Sequence, residues 1–427
     1  MPDYDLLIYG AEPVPFIGIS DGAIAALAPG SARREIDATG LLVLPGVVDA
    51  HVHFNEPGRT EWEGWSTGSR AAAAGGVTTV CDMPLNSRPP VVTAAAFHAK
   101  RQAAEAQSVC DFALWGGLIP DHLDDLEPLA ACGVIGFKAF LSDSGVSDFP
   151  KVDLATLRSG MQRAAALRLP VAVHAEFDRP LPTPRGASSR DFCRSRPVAS
   201  ECEAIRSAVE LAGETGCALH VVHVSSGAGI DLIVDARRRG VDVTAETCPH
   251  YLVLSADDMH RLGAVAKCAP PLRDDADRSA LVEHVRASNV DTLGSDHSPS
   301  PWSMKQSSDF FEVWGGIAGV QHMLPLLLEL DLDPATVAQM TADHVARRFR
   351  LPRKGRIAPG YDADLVLVQR QGPYEVTPDS LLYRHPISPY VGRRLRGRVR
   401  QTILCGQVIV DEGQVVSTPS GRLLLPS

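Results

Sequence analysis

The sequence lacks the features that mark membrane proteins and nucleic-acid-binding proteins. Over 427 residues no stretch is long and apolar enough to span a bilayer. Aspartate and glutamate (51) outnumber lysine and arginine (41), and the resulting net charge of -10 disfavours a protein that binds nucleic acid through a basic patch. We interpret the one basic run, residues 393–400, as a solvated face or a set of subunit ion pairs. We therefore expect neither a nucleic-acid partner nor a membrane partner.

Cysteine is sparse and shows no pairing pattern. The nine cysteines are scattered, odd in number and without a Cys-x-x-Cys pair, which is typical of a reduced, cytoplasmic protein. The acidic amino terminus, Met-Pro-Asp-Tyr-Asp, has neither a basic segment nor an apolar core. We expect no secretory signal there.

From residue 46 onward, apolar strands alternate with longer, alanine-rich helical stretches. The predicted strands are the one that ends at His53 and those at residues 78–82, 111–115, 134–140, 170–174, 218–223, 241–245 and 290–296. Such alternation indicates parallel βα units, and eight of them predict an α/β fold of the closed (β/α)₈, or TIM-barrel, type. An open doubly wound sheet is the alternative, but no Gly-x-Gly-x-x-Gly follows an early strand.

Short strands punctuated by glycine and proline occupy both ends of the chain. We predict that residues 1–46 and 350–427 pair into one small β-sandwich domain beside a barrel of residues 47–349.

Two histidines, His51 and His53, lie one residue apart at the end of the first barrel strand. Residues i and i+2 of a strand point to the same face, so the two imidazoles are aimed at one point, where a metal ion could sit. The alternative is a pair of core histidines satisfied by hydrogen bonds.

Other barrel strands also end in polar side chains, at the edge where barrel enzymes carry their active sites. The fourth carries Lys138, the fifth ends in His174, the sixth in His223 and the eighth in Asp296. Each has an alternative: His174 as a core histidine, His220 in place of His223 on the sixth strand, and Asp296 as a helix cap. Together they could hold one metal ion or two.

Lys138 is flanked by apolar residues and is costly to bury as a cation. Desolvation lowers the pKa of a buried lysine and leaves a nucleophilic neutral amine. Such an amine can add carbon dioxide, and the resulting carbamate has two oxygens that can bridge two cations.

Several segments resemble the cyclic amidohydrolase group of the amidohydrolase superfamily, which contains dihydroorotases, hydantoinases (dihydropyrimidinases) and allantoinases. They are residues 49–53 (DAHVH), 136–140 (GFKAF), 173–176 (VHAE), 222–226 (VHVSS), 246–252 (ETCPHYL), 268–273 (CAPPLR), 294–299 (GSDHSP) and 354–365 (KGRIAPGYDADL). The resemblance implies a binuclear centre that hydrolyses a cyclic amide. His51 and His53 would bind one metal with Asp296, and His174 and His223 the second. Carboxylated Lys138 and a hydroxide would bridge the two ions, usually Zn²⁺. Asp296 would also be the catalytic acid–base, and the group implies a homo-oligomer, a tetramer.

Loop residues after the barrel strands indicate which ring is the substrate. In dihydroorotases an arginine that pairs with the substrate carboxylate stands where this chain has Asn55, and an asparagine suits a neutral ureido or amide group instead. Several further segments resemble allantoinases. They are residues 55–64 (NEPGRTEWEG), 73–80 (AAGGVTTV), 82–87 (DMPLNS), 314–321 (WGGIAGVQ), 388–392 (SPYVG) and 395–399 (LRGRV). This implies allantoin as substrate and allantoate as product, with Asn86 and the main chain at Ala269 and Gly315 orienting the ring.

Two alternatives remain: a hydantoinase, dihydropyrimidinase or dihydroorotase-like amidase, and a non-catalytic scaffold homologue, which would have lost metal ligands.

Two loops depart from the pattern or suggest movement. The segment of residues 298–310 is shorter and richer in serine than in most allantoinases. The segment of residues 177–196, rich in proline, arginine and serine, is predicted to form a mobile lid over the site.

Overall fold

Eight parallel strands form a barrel at the centre of the computed structural model, which describes residues 2–181 and 185–427. The strands are Val47–Val52, Val77–Asp82, Asp111–Leu114, Phe137–Phe140, Val171–His174, Leu219–Val221, Val243–Thr247 and Thr292–Leu293. The third resumes after Trp115 as Gly116–Gly117, which pairs with the fourth. His297, beyond the eighth strand, bridges Val52 of the first. The predicted (β/α)₈ barrel is confirmed.

Helices surround the barrel. They are Trp65–Ala74, Ala94–Gln107, Leu126–Cys132, Leu154–Ala166, Ser189–Ser195, Val198–Thr215, Gly227–Arg238, Pro249–Val253, Ala256–Leu262, Asp275–Arg286, Met323–Leu328, Pro334–Ala338 and His344–Arg348, with a π-turn at Gln339–Asp343. Short 3₁₀ turns lie at Pro120–Asp125, Gly263–Ala266, Trp302–Lys305, Val320–His322 and Pro378–Ser380. Thr93, Asp153 and Ser226 begin three of the longer helices, because each side chain accepts a hydrogen bond from a first-turn N–H. No helix of the described residues has the length and apolarity needed to cross a bilayer.

The two ends of the chain build a sandwich of two sheets. One sheet contains Tyr4–Tyr9, Phe16–Ser20, Ala23–Ala26 and Ala32–Asp37, and the other Leu42–Pro45, Leu365–Gln369, Arg398–Leu404, Gln407–Asp411 and Gln414–Val415. Leu42–Pro45 and Leu365–Gln369 pair antiparallel, so the amino-terminal and carboxy-terminal segments share a sheet. Ile8, Ile17, Leu365 and Ile403 are among the apolar side chains packed between the sheets. A further two-stranded ribbon joins Tyr374–Glu375 to Arg394–Leu395. The sandwich is confirmed, and its exact boundaries stay a prediction.

Most barrel strands differ from their predicted bounds by one to three residues, and the seventh and eighth differ in ways that affect the site. The seventh begins two residues later than residue 241, because the N–H of Val241 closes the preceding helix on Ala236 O. It therefore extends through Glu246, which the prediction left outside. The eighth is regular only at Thr292–Leu293. At Gly294, which follows it, an added Cβ would lie 2.8 Å from the Glu246 carboxylate, so this position requires glycine. Beyond that turn, Asp296 has a left-handed φ of 44°.

Candidate metal centre

His51, His53 and Asp296 converge at the carboxyl end of the barrel. The Nε2 atoms of His51 and His53 lie 3.3 and 3.4 Å from Asp296 Oδ1. The three residues offer ligand atoms that all lie within 4.8 Å of one another. His53 Nδ1 is buried without a hydrogen-bond partner among the described residues. This arrangement fits a cation site better than a pair of fully satisfied core histidines.

His174 and His223 form a second group beside the first. His174 Nδ1 and His223 Nε2 are 3.0 Å apart, and the ring of His223 lies 5.4 Å from that of His51. His220 is directed away from His223, with Nδ1 2.8 Å from Thr244 Oγ1. The two nitrogens that face each other are therefore the ones available to a common ligand.

Lys138 lies completely buried on the fourth strand, with its ammonium nitrogen near both groups. Nζ has no hydrogen-bond partner among the described residues, and it lies 5.0 Å from the centre of the Phe140 ring. Burial lowers the pKa of Lys138 to about 7. A large fraction of the side chain is thus a neutral amine near neutral pH.

Two buried carboxylates that the sequence reasoning did not assign orient the histidines from behind. Glu246 Oε1 accepts from His51 Nδ1 at 2.7 Å, and Glu176 Oε2 lies 3.5 Å from His174 Nε2. Arg196 donates to Glu176 at 2.9 and 2.6 Å. A carboxylate behind a ligating imidazole fixes its tautomer and ring orientation.

Both of these carboxylates stay ionised although burial opposes their charge. The charge of His51 outweighs desolvation and lowers the pKa of Glu246 to about 2. Arg196 does the same for Glu176, whose pKa is also lowered to about 2. The His-x-Glu spacing of residues 174 and 176, which repeats the spacing of the first histidine pair, was the available sequence signal for Glu176.

Asp296 is held as a carboxylate by the histidines around it. Burial raises its pKa, but the charge of His51 and the hydrogen bond from His53 outweigh burial and hold the pKa well below its usual range. Asp49 ties the first strand to the eighth, since its Oδ1 accepts from His51 N at 3.1 Å and from Ser295 N at 3.0 Å. The position of Asp296 relative to the histidines is thereby set by the backbone.

A cavity opens over these side chains. It is lined by His51, His53, Leu85, Asn86, Phe140, Asp143, Ser144, His174, His223, Cys268, Ala269, Asp296, Ser298, Trp314, Gly315 and Gly316. Three of the four residues predicted to bind substrate, Asn86, Ala269 and Gly315, belong to this wall. The fourth, Asn55, does not line the cavity as the described residues define it.

The two asparagines share an unusual conformation. Asn55 and Asn86 have left-handed φ values of 65° and 68°. Both Oδ1 atoms are buried without a partner among the described residues. Asn55 Nδ2 donates to Pro299 O at 3.5 Å, and Arg59 Nη1 donates to the main-chain oxygen of Asn86 at 3.0 Å. Each amide therefore retains an unused acceptor.

The predicted lid, residues 177–196, lies at the rim of the cavity, and its residues 182–184 fall outside the described part of the chain. The rest packs on residues 298–310: Phe310 N donates to Ala187 O at 2.8 Å, and Arg185 Nη1 to Asp309 Oδ1 at 3.2 Å. Its short helix, Ser189–Ser195, buries Phe192. Movement of this segment stays a prediction.

Comparison with known sequences places this site among related hydrolases. Residues 42–409 match the sequence model of the amidohydrolase family. The chain is 52% identical to an allantoinase of Solibacter usitatus, over 96% of this chain and 93% of that protein. It is 50% identical to an allantoinase of Rubrobacter xylanophilus, over 100% of this chain and 98% of that protein.

Solved structures show the same architecture. An L-hydantoinase (dihydropyrimidinase) from Arthrobacter aurescens superimposes with a TM-score of 0.94 at 31% identity, covering 99% of this chain and all of that one. A D-hydantoinase (dihydropyrimidinase) from Thermus sp. has a TM-score of 0.90 at 27% identity, with 99% of both chains covered.

Proposed function

The chain belongs to the amidohydrolase family, and we propose that it opens the hydantoin ring of allantoin to give allantoate. The relatives that match nearly its full length are allantoinases. The observation that carries the proposal is the meeting of four histidines, Asp296 and an unpartnered lysine at one end of the barrel. Ring opening is hydrolysis of a cyclic amide C–N bond, which this set of groups suits.

The donor set fits two divalent metal ions. His51, His53 and Asp296 would hold one ion, and His174 and His223 the other. Lys138, as its carbamate, would contact both, and its buried, unpartnered amine supports this role. Imidazole nitrogen and carboxylate oxygen are ligands that Zn²⁺ accepts, so we propose zinc. When bound, such ions supply hydroxide near neutral pH and polarise the attacked carbonyl.

Asp296 is the proposed proton carrier. As a carboxylate it accepts the proton of the attacking hydroxide, and it then donates that proton to the ring nitrogen that leaves. Glu246 and Glu176 keep His51 and His174 in fixed orientations throughout. The residues thus divide into those that move a proton and those that hold the others in place.

A neutral ring suits the walls of the site. Asn86 contributes a free amide oxygen, and Ala269 and Gly315 contribute main-chain groups at the cavity surface. Asn55 would act from behind this wall. It offers a neutral amide where a substrate carboxylate would require a guanidinium, which disfavours dihydroorotate.

We further propose a cytoplasmic homo-oligomer, a tetramer. All nine cysteines are free, which suits a reducing compartment. Size-exclusion chromatography with light scattering measures the assembly directly.

A panel of rings tests the substrate. Zinc-reconstituted protein is incubated with allantoin, hydantoin, dihydrouracil and dihydroorotate, and product is quantified for each. We expect the largest kcat/KM for allantoin and none detectable for dihydroorotate. The likeness to hydantoinase structures makes hydantoin the second candidate, and turnover of hydantoin without allantoin would replace the proposal. A protein that binds no metal and is inactive on every ring would indicate the scaffold alternative.

A further inference from the structure

Two buried lysines at the rim of the cavity have no part in the proposed chemistry. Lys305 Nζ donates to the main-chain oxygens of Ala264, Trp314 and Gly316, at 3.2, 2.9 and 2.8 Å. Three carbonyls satisfy all three donors of an ammonium group. Lys305 is therefore bound by backbone alone.

Lys267 contacts the same turn, residues 313–316, through other main-chain groups. Its Nζ donates to Phe311 O at 3.2 Å and to Val313 O. Its main-chain oxygen accepts from Gly316 N at 2.9 Å. The ammonium also lies 4.6 Å from the Phe192 ring, on the short helix Ser189–Ser195 of the rim. One side chain thus joins the turn to the segment at the rim of the cavity.

Among the described residues, Gly315 is the residue of this turn whose N–H and C=O both lack a partner. The carbonyls of residues 313, 314 and 316 are bound by Lys267 and Lys305, and the N–H of residue 316 is bound as well. Within residues 2–181 and 185–427, the N–H and C=O of Gly315 make no hydrogen bond, and Gly315 lines the cavity. Gly315 therefore offers both a free N–H and a free C=O to the cavity.

Burying an ammonium group to fix a turn costs the free energy of desolvating its charge. Burial, and then the charge of Lys267, lowers the pKa of Lys305 to about 7. Burial, and then the charge of Arg196, lowers the pKa of Lys267 to about 8. A methionine would fill the same space without desolvating a charge, but it offers no N–H group. The hydrogen bonds to the turn are what the lysines add.

We propose that Lys267 and Lys305 are positioning residues that fix residues 313–316, so that the free N–H and C=O of Gly315 meet the polar edge of the substrate ring. The identity of that ring rests on the proposed function. The fixed turn itself does not, because it follows from contacts within the chain. The two claims can therefore fail separately.

Hydrogen exchange tests the fixed turn without any substrate. In Lys305→Met, we expect amides of residues 311–317 to exchange at least about tenfold faster, because the carbonyls of Trp314 and Gly316 lose the hydrogen bonds that hold this turn. Lys151→Met is the matched control. It removes one rim charge, paired with Asp178 at 2.6 Å, and is expected to leave that exchange unchanged. Unchanged exchange in folded Lys305→Met overturns the proposal.

Steady-state kinetics test the link to substrate. We expect KM for allantoin to rise about tenfold in Lys305→Met while kcat stays within about threefold, because ring binding loses its fixed partner. A fall in kcat at unchanged KM overturns the positioning role. If Lys305→Met does not fold, Lys267→Met, which retains Lys305, is put through both measurements with the same criteria. Wild-type protein that does not hydrolyse allantoin contradicts the proposed function, and the exchange result then decides the turn alone.

Discussion

The two ends of the barrel bury a lysine in opposite ways. At the carboxyl end, Lys138 has no hydrogen-bond partner among the described residues, and burial lowers its pKa to about 7. At the other end, Lys354 lies between Asp111 of the third strand and Asp364 of the sandwich, 2.7 Å from each. Burial opposes the charge there too, but Asp364 and Asp111 outweigh it and raise the pKa of Lys354 well above its usual value.

The difference between the two lysines separates a structural role from the proposed chemical role. A lysine with carboxylate partners stays a cation and joins the sandwich to the barrel. A buried lysine without carboxylate partners loses its proton more readily, and the neutral amine is the form that reacts with carbon dioxide. Burial alone does not decide the role of a lysine, but its partners do.

Removing the reactive lysine is expected to have the largest effect on activity. Lys138→Ala should lose on the order of 10³-fold or more in kcat/KM and bind fewer than two metal ions per chain, since charge stabilisation at the reacting carbonyl is lost. Its melting temperature should stay near that of wild type, because no ion pair is broken. Metal analysis and calorimetry check this, and retention of two ions at full activity would remove Lys138 from the centre.

Removing the structural lysine should reverse that result. Lys354→Met removes the cation that Asp111, Asp362 and Asp364 share. Arg422 and Arg353 still pair with Asp111 and Asp362, but Asp364 keeps no ion pair among the described residues. We expect the free energy of unfolding to fall by about 3–5 kcal/mol. Activity per folded molecule should be unchanged. Denaturant unfolding and assays below the melting temperature measure both quantities, and a selective loss of kcat would contradict the division between the two ends.

The carboxylates behind the histidines should have an intermediate effect. Glu246→Gln keeps an acceptor near His51 but removes the charge, so metal affinity should fall about 10- to 100-fold. Glu201→Gln serves as a control, because that buried carboxylate accepts from Ser225 and Ser226 and does not contact a proposed ligand. Competition with a chelator gives the affinities, and equal values for Glu246→Gln and wild type would show that Glu246 is only structural.

The fourth prediction is a pH dependence of stability at Lys305. Its pKa is about 7 in the folded chain, lowered by burial and by the charge of Lys267. Between that value and the ordinary lysine pKa of about 10.4, the unfolded chain binds one proton more, so stability should rise with pH. The difference in unfolding free energy between wild type and Lys305→Met should therefore increase from pH 7 to pH 10. For Lys354, whose pKa is raised, the corresponding difference should stay flat over that range.

Strand-end polarity and residue parity predicted much of the centre. The i, i+2 spacing of His51 and His53, the place of Lys138 within its strand and that of His174 at a strand end depend only on local strand geometry. Glu246 was missed because its strand was predicted to end at residue 245, whereas it ends at Thr247. Asn55 was predicted from its place after His53, but the left-handed turn there directs its amide to Pro299 instead of the cavity.

The positioning contacts were beyond prediction for another reason. Lys267 and Lys305 bind main-chain oxygens of residues 311–316, and such contacts leave no trace in residue type at the accepting positions. The sandwich, in contrast, followed from the short strands at both ends of the chain, because a strand pairs wherever an edge is available.

Carbon-13 NMR of protein reconstituted with zinc and ¹³C-bicarbonate tests the contrast between the two lysines most directly. One carbamate resonance is predicted in wild type and in Lys354→Met, and none in Lys138→Ala. Absence of the resonance from wild-type protein that holds two metal ions, or its persistence in Lys138→Ala, would contradict the assignment of Lys138 as the carboxylated bridge.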